Sequence, residues 1–182
     1  MRLDLFNPKK DFSRGKPFYI FGVWLVVSQL FIDSPWPWPS SLKAIILRLF
    51  GAKIGKNVHL KPRLTIHFPW KLRIGDNVWI GQETYLHNME SLIILNNTAI
   101  AHRVFITTGS HNFNKISFPY NNKKSIIGKH CWICSCVYIG PGIKIADGTV
   151  VYPGSVVTKN TKRWTIVGGN PASIIRTRGV CK

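Results

Sequence analysis

The chain's 182 residues fit a single domain with short appendages, and a hydrophobic content of 45% with only 18% charged residues excludes intrinsic disorder. Twenty-five lysines and arginines against seven acidic residues give a formal charge of +18, which favours a phosphate-bearing partner. A nucleotide cofactor, a nucleic acid and an anionic membrane surface all meet that description, and charge alone does not choose among them.

Residues 1–52 predict a basic and apolar helical segment ahead of the main domain. Its apolar run, residues 17–32, follows a charged stretch and is shorter than the roughly 20 residues of a membrane-spanning helix. It also lacks the small-residue cleavage site of a signal peptide. Two interpretations stay open: a helix docked on the domain, or a helix lying in a membrane interface beside basic residues.

Three prolines in the segment Ser-Pro-Trp-Pro-Trp-Pro-Ser, residues 34–40, end this first helix, because proline cannot continue one. A short amphipathic helix is then predicted over residues 42–50. Gly51 is its expected C-cap, since glycine adopts the left-handed conformation that commonly ends a helix.

A six-residue repeat is the strongest signal in the chain. Neither a helix, with its period of 3.6, nor a half-buried strand, with its period of two, produces a spacing of six. Short strands joined by turns and stacked in successive coils do produce it, and each coil buries its side chains only against its neighbours. The fifteen phased positions, interrupted by two two-residue slips and one longer gap, are Ile54, Leu60, Ile66, Ile74, Ile80, Leu86, Ile94, Ile100, Ile106, Ile127, Ile133, Ile139, Ile145, Val151 and Val157.

This pattern resembles the hexapeptide-repeat acyltransferase superfamily, and within it the colanic-acid-type sugar O-acetyltransferases. The resemblance covers nearly the whole chain and rests on an ordered set of stretches. It implies an all-β repeat fold, a left-handed parallel β-helix of about five coils over residues 53–168, with a loop insertion at 107–126 and a short C-terminal tail, 169–182. The stretches are L-R-L-F-G-A-K-I-G (47–55), P-W-K-L-R-I-G-D-N-V-W-I-G (69–81), T-T-G-S-H-N (107–112), G-S-V-V-T-K (154–159) and G-G-N-P-A (168–172).

The longest interruption of the repeat contains the candidate catalytic residue. Functional residues of repeat proteins are commonly found in loops that interrupt the repeat. His111 matches the family's catalytic histidine, and an imidazole suits the general base that takes a proton from an acceptor hydroxyl. By resemblance Glu83 and Asn88 line the acceptor pocket, although both also suit turn positions. Asn112 is a third candidate for binding the acceptor, and it stands where relatives often carry aspartate, so an amide replaces a carboxylate beside His111.

The resemblance also implies an acetyl-CoA site along the C-terminal coils. Ser135 is expected to contact the pantetheine arm through its main chain, and Ser155 and Val156 continue the same track. Lys159 and Arg176 are candidates for the CoA phosphates, because cationic groups form strong charge-assisted bonds there. A solvated surface role suits either cation equally well in so basic a chain.

Metal and nucleic-acid sites are not predicted. Of four cysteines, three lie within six residues and Cys181 is far from them, which disfavours zinc and favours reduced thiols. A γ-carbonic-anhydrase-like metal site needs three converging histidines, and no close pair of that kind is found among the six histidines of the sequence. No helix-turn-helix, RNA-recognition or zinc-finger pattern occurs.

The sequence therefore predicts an acetyl-CoA-dependent O-acetyltransferase that acts on a sugar hydroxyl, in surface polysaccharide or glycan biosynthesis. By family resemblance it forms a homotrimer. We expect it in the cytoplasm, with peripheral contact at the inner face of the membrane because the charge and the apolar run suit one. Acetylation of an amino sugar or an antibiotic stays open as an alternative, as does a non-catalytic binding β-helix.

Overall fold

Two helices and a short π-helical turn stand at the N-terminal end of the molecule, whose computed structural model describes residues 1–8, 10 and 12–179. A 3-10 turn, Leu3–Leu5, precedes α1, Phe18–Val27, which runs on into the π turn Ser28–Ile32. Helix α2 is Ser40–Leu49. It begins two residues earlier than predicted, directly after Pro39, and Gly51 follows it with a φ of 91° as expected for the C-cap.

The rest of the described chain is a left-handed parallel β-helix with three sheets. Successive strands pass from sheet A to sheet B to sheet C, so each coil contributes one strand to every sheet. Sheet A contains β1 (Lys53–Ile54), β4 (Leu72–Ile74), β7 (Leu92–Ile94), β10 (Ser125–Ile127) and β13 (Lys144–Ile145); sheet B contains β2 (His59–Leu60), β5 (Trp79–Ile80), β8 (Ala99–Ile100), β11 (Trp132–Ile133), β14 (Val150–Val151), β16 (Thr165–Gly169) and β17 (Ala172–Thr177); sheet C contains β3 (Thr65–Ile66), β6 (Tyr85–His87), β9 (Phe105–Thr107), β12 (Tyr138–Ile139) and β15 (Val156–Val157).

The fifteen phased aliphatic positions form the core, as the repeat predicts. Each ends or nearly ends a strand, and each is buried. Strand register places every one above its equivalent in the next coil, as in the column that Ile54, Ile74 and Ile94 begin in sheet A. Burial of such columns is favourable by about 1.5–3 kcal/mol for each aliphatic side chain, and it requires the coils to stack. The five complete coils agree with the predicted number.

Both ends of the β-helix are covered. At its start, α2 packs on β1 and β2, and the indole Nε1 of Trp24 in α1 donates to the carbonyl of Ile66 at 3.1 Å. At its end, β16 continues sheet B, and β17 pairs with it in antiparallel orientation. The predicted C-terminal tail thus begins as the second strand of a hairpin.

The two slips and the long gap in the repeat all fall at one edge of the prism, which we call the C–A corner because it joins sheet C to sheet A. The first slip holds the 3-10 turn Pro69–Lys71, the second lies between β6 and β7, and the gap lies between β9 and β10. Extra residues therefore accumulate at a single corner, in three successive coils. The opposite edge of sheet C, the B–C corner, keeps the regular spacing.

Within the described part of the chain, no helix has both the length and the apolar character needed to cross a membrane.

Candidate active site

The gap between β9 and β10 folds back on itself as an irregular hairpin. Asn121 donates its backbone N–H to the carbonyl of Ser110 at 2.7 Å, and Asn112 donates to Pro119 at 2.8 Å. An antiparallel bridge pairs His111 with Tyr120 between these bonds. The loop is thereby held on both sides of His111, which gives the imidazole a defined position.

Gly109 begins the hairpin where the second and third coils come very close together. A Cβ built on Gly109 would lie 2.8 Å from the Cγ of Met89 and 3.0 Å from the Cε1 of His87. Only a residue without a side chain fits this approach without displacing its neighbours. The glycine of the T-T-G-S-H-N stretch is therefore a packing requirement of the site.

His111 is half-buried in an aromatic enclosure. Its ring stacks on Phe118 with centroids 4.3 Å apart, and lies 4.6 Å from the ring of Tyr120 and 5.4 Å from that of Phe6. Phe6 belongs to the N-terminal segment, which reaches the hairpin through a bond from the backbone N–H of Arg2 to Ile116. The N-terminal segment therefore packs against the ring of His111, a contact that the sequence did not indicate.

A backbone carbonyl fixes the tautomer of His111. The Nδ1 atom lies 2.8 Å from the carbonyl oxygen of Phe118. Because a carbonyl oxygen accepts and never donates, Nδ1 must carry the proton when the ring is neutral. The remaining nitrogen, Nε2, then has a free lone pair, which is the state that a general base requires.

A cleft of about 280 Å³ surrounds His111 at the C–A corner. Its walls come from the hairpin and from the coil that precedes it. The lining residues are His87, Met89, Gly109, Ser110, His111, Tyr120 and Asn122. A larger groove of about 890 Å³ adjoins it, shares Met89 and Tyr120 with it, and runs along residues 12–17.

His87 is a residue of this cleft that the sequence analysis did not select. Strand register stacks it beneath Thr107, and its Nδ1 lies 3.0 Å from the Thr107 hydroxyl. His67, one coil earlier, packs against it with ring centroids 5.4 Å apart. The sequence analysis did not identify this pair, because residues 20 apart become neighbours only when adjacent coils stack.

Burial weakens the basicity of both stacked histidines. Desolvation, followed by the charges of His87, Arg14 and Lys71, lowers the pKa of His67 to about 4. Desolvation also lowers the pKa of His87. Both rings are therefore neutral at physiological pH, which suits hydrogen bonding to a neutral ligand better than charge pairing.

Asn88 is fully buried, and its amide joins two coils. Its Oδ1 accepts from the backbone N–H groups of His67 and Phe68 at 3.1 and 3.0 Å. Its Nδ2 donates to the Phe68 carbonyl at 2.6 Å. This geometry gives Asn88 a structural function beside the cleft. Asn88 is predicted to contact the acceptor, but in the described structure it has no exposed atom with which to do so.

Glu83 lies at the B–C corner, away from His111 within one chain. It has a φ of 57° and pairs with Arg103 at 2.6 Å and with Arg63 at 3.9 Å. The hydrogen bond and charge of Arg103 lower the pKa of Glu83. All three residues occupy equivalent turns of successive coils, so within one chain Glu83 acts as a link between turns.

Asn112 lies at the C–A corner, whereas the predicted donor residues Ser135 and Ser155 lie at the B–C corner. Asn112 accepts a bond from the backbone N–H of Asn114 at 3.1 Å, so its side chain closes the tip of the hairpin. Ser135 lies at the B–C corner, where its hydroxyl is 3.1 Å from Nδ1 of His102 and its carbonyl accepts from Gly154. Ser155 is one coil further on at that corner.

The remaining donor residues sit at the C-terminal end. The buried hydroxyl of Ser155 donates to the Tyr152 carbonyl at 2.6 Å, which leaves only main-chain groups for a ligand. Val156 points outward from sheet C in register with Tyr138. Lys159 is exposed beside a cleft of about 280 Å³, and Arg176 is exposed on β17.

The three cysteines that the structure describes do not converge on a metal site. Cys131 and Cys134 are buried and Cys136 is exposed. Burial raises the pKa of the Cys131 thiol to about 11, which disfavours the thiolate that a metal needs. Cys181 lies outside the described residues. Among those that are described, no three His, Cys, Asp or Glu residues are grouped as ligands.

Comparison with known proteins decides the family. The family described as bacterial transferase hexapeptide (six repeats) matches residues 124–159. The chain is 37% identical over 176 residues to a protein named as a colanic acid biosynthesis acetyltransferase, WcaF, of Escherichia coli (strain K12), covering 95% of this chain and 94% of that protein. The chain belongs to the hexapeptide-repeat acetyltransferases. A galactoside O-acetyltransferase of the same strain is 28% identical to this acetyltransferase over 142 residues, or 74% of the chain and 67% of the relative.

Solved structures agree with the fold of this acetyltransferase. A maltose O-acetyltransferase from Clostridium difficile 630 superposes with a TM-score of 0.80 at 22% identity, covering 99% of each chain. A hexapeptide-repeat acetyltransferase of Vibrio cholerae O1 biovar eltor, complexed with acetyl coenzyme A, superposes with a TM-score of 0.79 at 21% identity, covering 90% of this chain and 89% of the other.

Proposed function

We propose that this acetyltransferase transfers acetyl from acetyl-CoA to a sugar hydroxyl, in the biosynthesis of a surface polysaccharide or other glycan. The observation that carries the proposal is the state of His111, whose Nδ1 is held by the Phe118 carbonyl while the ring borders a cleft. The names of its relatives support the acetyl donor and a saccharide acceptor.

The proposed reaction is a direct transfer with His111 as general base. Nε2 takes the proton of the acceptor hydroxyl as its oxygen attacks the thioester carbonyl, and the carbon–sulfur bond breaks. The leaving CoA thiolate takes the proton back from the imidazolium. The Phe118 carbonyl keeps the ring oriented through both steps and stabilises its charged form.

The donor is proposed to bind along the B–C corner of the last coils. There Ser135 and Ser155 offer backbone groups to the pantetheine arm, with Val156 beside them. Lys159 and Arg176 are exposed near the end of the track and are the proposed partners of the CoA phosphates. A CoA-bound relative of the same fold, a galactoside acetyltransferase, supports a coenzyme A donor.

A homotrimer is proposed because the candidate base and the proposed donor track lie at different corners of a single chain. His111 lies at the C–A corner, whereas Ser135 and Ser155 lie at the B–C corner. A cyclic arrangement with head-to-tail interfaces brings unlike corners of neighbouring subunits together. The B–C corner of one subunit would then supply the donor to the C–A corner of the next, and Glu83 would reach the acceptor pocket from the neighbouring chain.

We place the enzyme in the cytoplasm, at the inner face of the membrane, where glycan precursors are assembled. Its formal charge of +18 supports contact with anionic partners, both acetyl-CoA and lipid headgroups.

Titration calorimetry with acetyl-CoA, beside dephospho-CoA, tests the donor. One molecule bound per subunit, more weakly without the 3′-phosphate, would support the proposed donor and a cationic contact to it. Absence of binding up to about millimolar acetyl-CoA would contradict the proposal, since substrates of enzymes bind in the micromolar to millimolar range. A panel of sugars, amino sugars and antibiotics then separates acetyl transfer to a hydroxyl from transfer to an amine.

A further inference from the structure

We propose that the outer face of α1 docks this enzyme on an anionic membrane surface. The outer face is the stripe formed by Tyr19, Val23 and Val26 of α1 and by Leu30 of the π turn that continues it, with exposed fractions of 68%, 54%, 62% and 57%. The three residues of α1 follow the spacing i, i+4 and i+7, which places their side chains on one side of the helix. An apolar stripe that long needs an occupant, because isolated apolar residues on a surface are common but contiguous ones are not.

The opposite side of the same helix is fixed to the β-helix. Trp24 and Ile32 are fully buried, and the indole of Trp24 is bonded to the Ile66 carbonyl. Backbone bonds from Leu64 to Ile32 and from Arg63 to Ser34 hold the end of the segment. The helix therefore cannot rotate to hide the outer face. One side docks on the domain, as one interpretation of the apolar run predicted, and the other side remains exposed.

The surroundings of the outer face suit a membrane interface. Phe18 and Trp36 add further exposed aromatic surface, each with 71% of the side chain accessible. Trp38 packs on Phe31 and donates its indole N–H to the Leu30 carbonyl at 3.0 Å. Tryptophan is enriched at the level of the headgroups, because its ring is apolar while its N–H is polar.

Charge selects anionic lipid as the occupant. Arg14 and Lys16 precede the helix, and the guanidinium of Arg14 lies 5.4 and 5.3 Å from the ring centroids of Phe18 and Phe21. Among the described acids of residues 1–52, Asp4 pairs with Arg2 and Asp33 accepts from Thr65. Anionic headgroups attract a chain with a formal charge of +18.

Docking has a consequence for the reaction. The 890 Å³ groove is lined by Arg14 and Phe21 at one end and by Met89 and Tyr120, which also border the His111 cleft, at the other. A docked enzyme would hold the helix end of this groove at the lipid surface, close to acceptors carried there. This consequence rests on the proposed function, but the docking itself does not.

Flotation with lipid vesicles tests the docking. Wild-type protein is mixed with phosphatidylcholine vesicles with or without about 30 mol% phosphatidylglycerol, at about 50 mM salt so that charges are weakly screened. We expect binding to the anionic vesicles. The double variant Val23→Asp, Val26→Asp should lower the partition coefficient about tenfold or more, because both carboxylates would have to enter the interface.

A matched control separates the effect of the outer face on vesicle binding from the effect of net charge. The double variant Lys53→Ala, Lys144→Ala removes the same net charge from the exposed surface of sheet A, and it should bind as wild type does. Equal loss of binding in both variants, or no loss in the face variant, would overturn the proposal. So would a change in the oligomeric mass of the face variant without a change in vesicle binding, since that result identifies a second copy as the occupant.

Fluorescence gives an independent measurement. Brominated lipids should quench the wild-type protein more than the variant Trp36→Phe; equal quenching would place Trp36 outside the membrane and contradict the proposed orientation. Acetyl-CoA binding by the face variant, measured by calorimetry, would show that this variant is folded. The same measurement separates the two proposals: if the wild-type protein does not bind acetyl-CoA, the proposed function is refuted, whereas the vesicle result is unaffected.

Discussion

His111 shows how neighbouring atoms, rather than residue type, set the chemical state of a side chain. The carbonyl of Phe118 accepts from its Nδ1, and three aromatic rings limit where the imidazole can move. Asn112 follows it in sequence, yet the Asn112 amide is engaged at the tip of the hairpin. The orienting acceptor is therefore a main-chain atom seven residues along, which a substitution cannot remove directly.

Replacement of His111 by alanine should lower kcat about 10²- to 10⁴-fold, because the acceptor hydroxyl loses its base. Acetyl-CoA affinity should be unchanged, since Ser135 and Ser155 of the proposed donor track lie at the B–C corner. The control is His59→Ala, an exposed histidine of sheet B in the first coil. An unchanged rate in the His111 variant would remove it from the mechanism.

His67 should make the stability of the protein depend on pH. Its folded pKa of about 4 is below its usual value of 6.5, so the unfolded chain binds this proton more readily. The contribution is present above pH 6.5 and is lost as pH falls toward 4. Since the ring is partly exposed, we expect a loss of about 1–2 kcal/mol in the free energy of unfolding.

Urea unfolding at pH 7 and pH 5 measures this effect. The variant His67→Gln should reduce the difference between the two pH values, because glutamine does not titrate. An identical pH dependence in wild type and variant would show that other groups cause it.

At the scale of the element, the extra residues of the repeat and the candidate site residues lie at the corners between sheets. The extra residues of three successive coils lie at the C–A corner, and hydrogen bonds between coils hold them there. One such bond joins the backbone N–H of Glu90 to the hydroxyl of Thr108 at 2.7 Å. The lower coils thus form the platform on which the His111 hairpin rests.

The Asn88 amide makes three of these bonds to the preceding coil. The variant Asn88→Ala should therefore destabilise the protein by about 2–3 kcal/mol, because buried backbone groups lose their partners. Urea unfolding measures the loss, with Asn114→Ala on the exposed hairpin tip as the control. If stability were unchanged while KM for the acceptor rose, Asn88 would be a substrate contact instead.

For the whole molecule, the proposed trimer would make assembly a condition of activity, because His111 and the proposed donor track lie at different corners of one chain. Sedimentation equilibrium should give three times the 20.7 kDa of one chain. Mixed trimers provide a sharper test: a His111→Ala chain refolded with a Val156→Trp chain, whose donor track is obstructed, should recover activity. With random mixing, about a quarter of the interfaces combine an intact base with an intact donor track.

Both variants are inactive alone on this account, so any recovery requires a shared site. Mixed trimers that form but remain inactive would show that each chain contains its own complete site.

The sequence by itself determined the fold and predicted His111 as the catalytic base. The hexad spacing places Ile54 and its fourteen equivalents inward because each strand is too short to be buried except by its stacked neighbours. His111 stood out because it lies in the longest interruption. Only the tertiary structure decided which distant residues meet: the stacking of His67 on His87, the Phe118 carbonyl behind His111, and the free outer face of α1. A coil closes over about twenty residues, so these contacts depend on register and on turn lengths that no local pattern records.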